Sequence, residues 1–215
     1  MFLSEIASTP PTTLTDVVDI KKWLDANLRR RDPHYGGEIL YEYDINYDDM
    51  TVDVEGDVNI SSRNLSYIPV KFGHIEGSFH AHHNQLTNFH NVPWFVKDIL
   101  GLGGNKIVSF DGANKTIIGR TLDLSVNPKL ESLHNMHKHI SSIGFELIIP
   151  MGLSNLLSIF FIKDLRLITI SKIGKTVDSP ETQLEHIISK HLRTKDVHKC
   201  QEELLEAGFD REARV

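Results

Sequence analysis

The feature that most constrains this chain of 215 residues is a short pattern that returns four times at almost constant spacing. The copies follow the form h-x-h-x-x-N-x-h-x-x-h, in which h is an apolar residue, except that the first has Arg in the N position and the last has one extra residue after its Asn. The copies begin at Val58, Phe79, Leu100 and Leu122, which are 21, 21 and 22 residues apart. Such a period is typical of a solenoid, in which each coil buries its apolar face only by stacking on its neighbours.

Apolar residues alternate within each copy, as Leu100 and Leu102 do, so they share one face of a short strand. Strands of successive coils would then pair in parallel about 4.8 Å apart. The polar position after each strand holds Arg63, Asn84, Asn105 and Asn127. Because a buried asparagine can satisfy turn backbone groups as donor and acceptor, we expect an asparagine ladder, with Arg63 facing solvent in the first coil.

This pattern is the core of a leucine-rich repeat. The stretches V-D-V-E-G-D-V-N-I-S (52–61), I-P-V-K-F-G (68–73) and N-Q-L-T (84–87) resemble leucine-rich-repeat proteins of tailed bacteriophages. The closing stretch K-C-Q-E-E-L-L-E-A-G-F (199–209) is similar to a tail found on phage-encoded proteins. The resemblance implies a class and a compartment, the cytoplasm of an infected bacterium, but no reaction. The chain departs from the usual pattern in its few coils and its histidines at polar positions.

The predicted fold class is an α/β solenoid, a short leucine-rich-repeat coil of about five to six repeats with parallel strands. Its predicted parts are an N-terminal helix and β-hairpin cap (1–57), the solenoid (58–171) and a C-terminal helical hairpin (178–215), with a linker at 172–177. We infer the fifth and sixth coils from Ile143/Phe145 and Leu165/Leu167, which continue the spacing without an asparagine. A nonstandard segment, 146–163, would connect them.

Helix signals define both ends of the chain. An apolar face at three-to-four spacing predicts a helix over 13–31, with Thr15 as its N-cap and three arginines at its end. Two segments, 39–45 and 50–54, predict the β-hairpin, and its many carboxylates favour solubility and protection of the sheet edge. Near the C-terminus, helices are predicted from Asp178 or Ser179 to about Leu192 and from about Lys195 to Ala207, ended by Gly208.

Composition limits the compartment and the partners. A net charge of −6 argues against binding to a nucleic-acid backbone, which needs clustered lysine and arginine. No stretch reaches the roughly 18 apolar residues of a membrane span, and the N-terminus lacks the pattern of a signal peptide. The single cysteine, Cys200, excludes an internal disulfide and suits a reducing interior. We therefore expect a cytoplasmic protein without membrane or nucleic-acid partners.

Histidine and cysteine side chains suggest two enzyme hypotheses. His80 and His82 share one strand face and could meet one metal ion, but Asp123, two coils along at roughly 10 Å, is too far to be a third ligand. Cys200 could be a nucleophile, yet it falls on the helix face that we expect to be buried. We predict no metal, no cofactor and no catalytic residue.

The exposed side of the strands is the predicted binding surface for a protein partner. Its central row by register is Asn59, His80, Gly101, Asp123, Gly144 and Arg166. His82, Gly103 and Ser125 flank this row. The glycines would leave a notch of bare backbone that a partner side chain could enter, so a bulky residue at Gly101 should lower affinity and leave Tm nearly unchanged. The alternative is that the glycines only relax a crowded coil.

Together these features predict a noncatalytic protein–protein interaction module that modulates a host or phage protein. The alternatives are a small enzyme that uses a His-bound metal or Cys200, and a structural component of a phage particle. Neither the partner nor the oligomeric state follows from the sequence.

Overall fold

The computed structural model describes residues 12–28, 30–31, 38–39, 42–172, 176 and 178–214. The helices are α1 (Val17–Leu28), α2 (Met136–His139), α3 (Pro180–Leu192) and α4 (Val197–Glu206), with a 3-10 helix at Leu156–Phe161. The strands before the fourth coil are β1 (Arg30–Arg31), β2 (Glu38–Ile39), β3 (Tyr43–Ile45), β4 (Val52–Val54), β5 (Val58–Asn59), β6 (Phe72–Ile75), β7 (Phe79–His80), β8 (Phe95–Val96) and β9 (Ile99–Gly101). The later strands are β10 (Thr116–Ile118), β11 (Thr121–Asp123), β12 (Ile140–Ile143), β13 (Glu146–Pro150) and β14 (Leu167–Ser171).

A β-solenoid of about six coils with parallel strands forms the body of the molecule. Its first sheet has the order β5-β7-β9-β11-β13-β14, and its second sheet has the order β3-β4-β6-β8-β10-β12. In the first sheet Phe79 pairs with Leu100 and Leu100 with Leu122, and all three side chains are buried. The predicted stacking of these residues in one column is therefore confirmed.

The second sheet was not predicted, because the sequence analysis placed only one strand in each coil. Its strands come from the return halves, where Val54, Ile75, Val96 and Ile118 are buried. The predicted hairpin is present as β3 and β4, which pair antiparallel and join this second sheet. The core thus lies between two strand ladders that meet through short turns.

The fifth coil differs from its prediction. Leu122 pairs with Leu147, 25 residues on, and Leu147 with Ile168, so the coil is longer than its neighbours. Ile143 belongs to the second sheet through β12, and Phe145 precedes β13. The segment 146–163 is not a mere connection, since it contains β13 and the 3-10 helix. Because β12 and β13 are both apolar, the constant spacing of the repeat assigned the fifth coil to residues of β12 instead of to those of β13.

The asparagine ladder forms as expected. Asn105 accepts the backbone N–H of Leu86 through Oδ1 at 3.1 Å and donates through Nδ2 to the carbonyls of Ala81 and Leu102, both at 2.9 Å. Asn84 and Asn127 repeat this arrangement, and all three asparagines are buried. Each side chain therefore joins its own turn to the preceding coil.

Helix α1 lies against the start of the stack, where Ile20, Leu24 and Leu28 are buried. Its N-terminus is held by Asp16, rather than by Thr15, because the Asp16 carboxylate accepts the N–H groups of Val18 and Asp19. The helix ends at Leu28 instead of residue 31.

Beyond α1, Arg30 and Arg31 form β1 and pair antiparallel with β2, so two of the three arginines do not continue the helix. Arg29, residues 1–11 and most of the predicted linker (173–175 and 177) lie outside the described residues.

The far end of the first sheet contacts α3. The backbone N–H of Ile168 donates to Ser189 Oγ at 3.3 Å, and that of Ile170 donates to the Glu185 carboxylate. Side chains of α3 thus occupy donors that a seventh strand would otherwise take. Ser179 accepts the N–H of Thr182 at the start of α3, and Gly208, with φ of +82°, follows α4 as predicted.

Candidate functional site

The predicted central row lies on the outward side of the first sheet, which we call the first face. Strand register places Asn59, His80, Gly101, Asp123, Ile148 and Thr169 in this row. Its first four members agree with the prediction. Gly144 and Arg166 do not belong to the row, because the longer fifth coil shifts the register and leaves them in the turns before β13 and β14.

The glycines of the first face make room for a histidine of the same chain. A Cβ atom on Gly101 would lie 2.1 Å from His82 Nε2, and one on Gly103 would lie 3.1 Å from His82 Nδ1. The His82 ring therefore leans across both glycines, whose backbone is buried beneath it. We predicted an open notch between His82 and Asp123. This prediction is wrong, because the His82 imidazole fills that space.

This position brings His82 close to two titratable groups. Its Nε2 lies 3.4 Å from His80 Nδ1, and its Nδ1 lies 3.9 Å from Asp123 Oδ2. The roughly 10 Å expected from coil spacing does not apply to these side-chain atoms, because the ring bridges the intervening coil. Burial lowers the pKa of His82, the charge of Asp123 partly offsets this effect, and His80 and His83 lower the pKa further.

A metal site would need at least one more ligand than this pair supplies. Asp123 faces the nitrogen of His82 that points away from His80, so it is placed to orient the imidazole rather than to join His80 around an ion. Among the residues described, no group of three or more His, Cys, Asp or Glu side chains could hold a metal ion. His80 and His82 place two imidazoles side by side that can take part in hydrogen bonds.

Asn59 and Asp123 are the last residues of their strands, and Ser61 and Ser125 lie two residues later in the turns that follow. Asn59 Oδ1 accepts the N–H of Ser61 at 3.0 Å, and Asp123 Oδ1 accepts the N–H of Ser125 at 2.8 Å. These bonds hold the Asn59 and Asp123 side chains against their own turns. The face therefore presents fixed polar groups of short reach.

The outward side of the second sheet forms another surface, which was not predicted from the sequence and which we call the second face. His74, Phe95 and Ile117 are register partners across β6, β8 and β10, and Trp94 lies beside them. The imidazole of His74 lies 4.1 Å from the Phe95 ring, centroid to centroid, and Trp94 and Ile117 are 46% and 38% exposed. We call these four residues the apolar strip. The sequence signal was an apolar residue before two of the buried return-strand residues, in Phe95-Val96 and Ile117-Ile118.

An acidic groove of about 430 Å³ adjoins the apolar strip at His74. Its carboxylates are Glu42, Asp44, Asp53, Glu55 and Glu76. Glu76 is bonded to Lys97 at 2.9 Å and to His74 at 2.8 Å, and these bonds, led by that from Lys97, lower the pKa of Glu76. The carboxylates predicted to protect the sheet edge therefore also line a concave surface.

Cys200 is buried on α4, as predicted. Burial, followed by the charges of Glu203 and Asp196, raises the pKa of its thiol to about 12. The thiolate that a nucleophile needs is therefore disfavoured at neutral pH.

Two further observations complete this description. No helix in the described ranges is long and apolar enough to cross a membrane. Comparison with protein-family models, with curated proteins and with solved structures gave no match.

Proposed function

We propose that this protein is a noncatalytic interaction module that binds another protein through the second face. The observation that carries the proposal is the apolar strip, in which an exposed Trp94 lies beside the tilted ring pair His74–Phe95. Exposed tryptophan at the centre of a rigid surface is the residue type that contributes most to protein–protein binding. Strands β6, β8 and β10 supply that rigidity, because each of them is paired on both sides within the second sheet.

Charge complementarity indicates the chemistry of the partner. The acidic groove lies next to the apolar strip, so a segment that carries lysine or arginine beside an apolar side chain would satisfy both. A cationic side chain could also lie over the Trp94 ring. The partner that we propose is a host or phage protein with such a segment, and binding would inhibit it or recruit it.

The first face offers a polar surface that the same or another partner could use. Its proposed contact residues are Asn59, His80, His82, Asp123 and Ser125. Gly101 contributes indirectly, since it holds the space into which the His82 ring leans. Arg166 lies outside this surface and lines a different groove.

Three further properties belong to this proposal. The coils are of the leucine-rich-repeat class, supported by the asparagine ladder. Helix α1 with the hairpin, and α3 with α4, act as caps, supported by the α3 bonds to β14. The origin is a tailed phage and the site of action is the bacterial cytoplasm, supported by the sequence stretches quoted above.

Binding rather than catalysis is supported by the state of the two candidate reactive sites. The Cys200 thiol is buried and its pKa is raised. The Asp123 carboxylate lies near Nδ1 of His82, whereas His80 lies near Nε2, so the three side chains do not converge on one point where an ion could bind. If the protein were a structural component of a phage particle, light scattering should show a large homo-oligomer. If it is an interaction module, it should capture its partner without forming such an oligomer.

The test is quantitative capture from infected bacteria with wild-type protein and with the double variant Trp94→Ala/Ile117→Ser. We expect the captured partner to fall at least tenfold with this variant, because the apolar anchor is removed. Leu205→Ser is the matched control, since Leu205 is 48% exposed but lies on α4.

A first-face variant, His80→Ala/Asp123→Asn, separates the two surfaces. If it abolishes capture while the apolar-strip variant retains it, the binding site is the first face and the second-face proposal is wrong. Equal capture by every variant would contradict binding through either face.

A further inference from the structure

A third surface, separate from both faces, lies between the sixth coil and α3. It is a groove of about 930 Å³, within the size range of small-molecule sites. Its basic side chains are Arg166, His186, Lys190, Arg193 and Lys195. We call it the basic groove. Four of these residues lie within 186–195, in α3 and the α3–α4 connection, and only the fold brings Arg166, from the turn before β14, beside them.

Two of the groove's lysines already have partners within the chain, and the groove also contains one carboxylate, Asp164. Lys190 Nζ lies 2.7 Å from Glu203 Oε2, which His191 also contacts. Lys195 donates to the Ile162 carbonyl at 2.9 Å, and Asp164 lies near enough that its charge raises the pKa of Lys195, although burial has the larger, opposite effect. These contacts leave Arg166 and Arg193 as the unbalanced charges.

Neither remaining guanidinium is engaged within the described part of the chain. Arg166 and Arg193 are both exposed, and no ion pair or side-chain hydrogen bond with another described residue involves them. Two guanidiniums that face one groove carry a combined charge of +2. Arginine presents several N–H donors in a planar fork, which fits the oxygens of phosphate in a bidentate manner.

The groove also has an apolar part. Phe145 is 44% exposed, and Leu165 and Leu167 line the groove with it. An exposed phenyl ring beside a cationic pair suits a ligand that joins an anionic group to a ring or another apolar portion.

We propose that the basic groove is a binding site for an organic phosphate monoester. A phosphate monoester carries about −1.5 to −2 charges at neutral pH, which matches the two unbalanced guanidiniums better than a single carboxylate does. Arg166 and Arg193 bind the phosphate oxygens, and Phe145 contacts the organic part. This site does not depend on the proposed protein partner, because it shares no residue with either face.

Phenyl phosphate is the probe, since it joins a monoester to one ring. Titration of the full chain, followed by amide chemical shifts in NMR, should show saturable changes at Phe145, Arg166 and Arg193. Arg166→Gln and Arg193→Gln should each raise Kd about tenfold, and the double variant should remove saturable binding. Added salt should weaken binding, because both contacts are ionic and exposed.

Controls separate this site from general attraction of anions. Arg120→Gln removes an exposed arginine outside the groove and should leave Kd unchanged. Inorganic phosphate should bind more weakly than phenyl phosphate, and phenol should bind more weakly than either. If the groove amides do not respond at millimolar phenyl phosphate, or if Arg120→Gln weakens binding as much as Arg193→Gln, the proposal is wrong. Preferential binding of a hexaglutamate peptide would identify an acidic protein segment as the ligand and would also overturn it.

Discussion

The coils that carry the asparagine ladder and the two coils that follow are held together in different ways. In the ladder coils, β5, β7, β9 and β11 are two or three residues long. In the later coils, β13 and β14 are five residues long and pair at five positions. The ladder coils therefore have less strand pairing and depend more on side-chain hydrogen bonds.

The later coils replace the asparagine with a different polar contact. The hydroxyl of Ser158, in the 3-10 helix, is buried and donates to the Leu133 carbonyl of the preceding coil. The Ser158 side chain therefore bonds fewer backbone groups than the Asn105 side chain, which bonds three at 3.1 Å or less. A coil can thus omit the asparagine when longer strands satisfy its backbone.

Asn105→Ala is the strongest test of this difference. The substitution would leave the N–H of Leu86 without a partner inside the core, whereas the carbonyls of Ala81 and Leu102 would each lose one of two asparagine donors and keep Asn84 or Asn127. Because a buried donor without a partner costs about 1–3 kcal/mol and each lost hydrogen bond about 0.5–1.5 kcal/mol, we expect a loss of about 3 kcal/mol in the free energy of unfolding. Urea denaturation followed by circular dichroism measures it.

Asn114→Ala is the matched control for Asn105→Ala. Asn114 is an exposed asparagine in a return segment, so its replacement should change the free energy of unfolding by less than about 0.5 kcal/mol. Similar losses in the two variants would contradict a structural ladder.

Ser158→Ala tests the later coils with a smaller expected effect. Removing the hydroxyl takes one partner from the Leu133 carbonyl and one contact from Asn155, while the β13–β14 pairing remains. We expect a loss of about 1 kcal/mol by the same urea measurement. A loss as large as that of Asn105→Ala would show that both regions depend equally on side-chain hydrogen bonds.

This difference also explains how far the sequence could predict the fold. The column through Phe79, Leu100 and Leu122 was predictable because the asparagine after each strand fixes the register. Beyond Asn127 that marker is missing, and the buried residues Ile143 and Leu147 look equivalent although they belong to different sheets. The second sheet was missed because its strands are short and lack a polar marker of their own.

The candidate surfaces were less predictable than the fold, because they depend on where side chains point. Glycine at Gly101 indicated open space, whereas the structure shows that a neighbouring imidazole uses this space. The basic groove joins Arg166 to Arg193, which are far apart in sequence and meet only because α3 packs beside β14.

Gly101→Ala tests whether the first face matters to the ladder coils beneath it. The new Cβ would displace the His82 ring, but the substitution also restricts the unfolded chain by about 0.4–1 kcal/mol. These effects oppose each other, so the free energy of unfolding should change by less than about 1 kcal/mol. The pKa of His82 should rise towards its ordinary value, because the displaced ring becomes more hydrated. NMR titration of the histidine ring protons measures this change.

The sign of the accompanying pH dependence follows from linkage. Burial holds the pKa of His82 in the folded protein below 6.5, so the unfolded chain binds the proton more readily. The contribution of His82 to stability is present above pH 6.5 and is lost as the pH falls towards the folded-state pKa. Gly101→Ala should reduce this acid-side loss. An unchanged His82 titration in the variant would contradict the placement of the ring over Gly101.

Arg63→Ala should have the smallest effect, although Arg63 occupies the ladder position of the first coil. Its guanidinium is exposed and donates to Asn27 Oδ1 at 3.3 Å and to the Asn27 carbonyl at 3.2 Å. Its backbone N–H donates to Asn84 Oδ1 at 3.0 Å, a bond that alanine retains. The ladder above it is therefore intact in the variant, and only solvated contacts with the end of α1 are lost.

We expect Arg63→Ala to lower the free energy of unfolding by about 0.5 kcal/mol or less in urea denaturation. A loss close to that of Asn105→Ala would mean that the contact with α1, rather than the buried asparagines, holds the ladder coils together. In that case Asn27→Ala should reproduce the loss, since it removes the Oδ1 partner of the same guanidinium while Asn84, Asn105 and Asn127 stay in place.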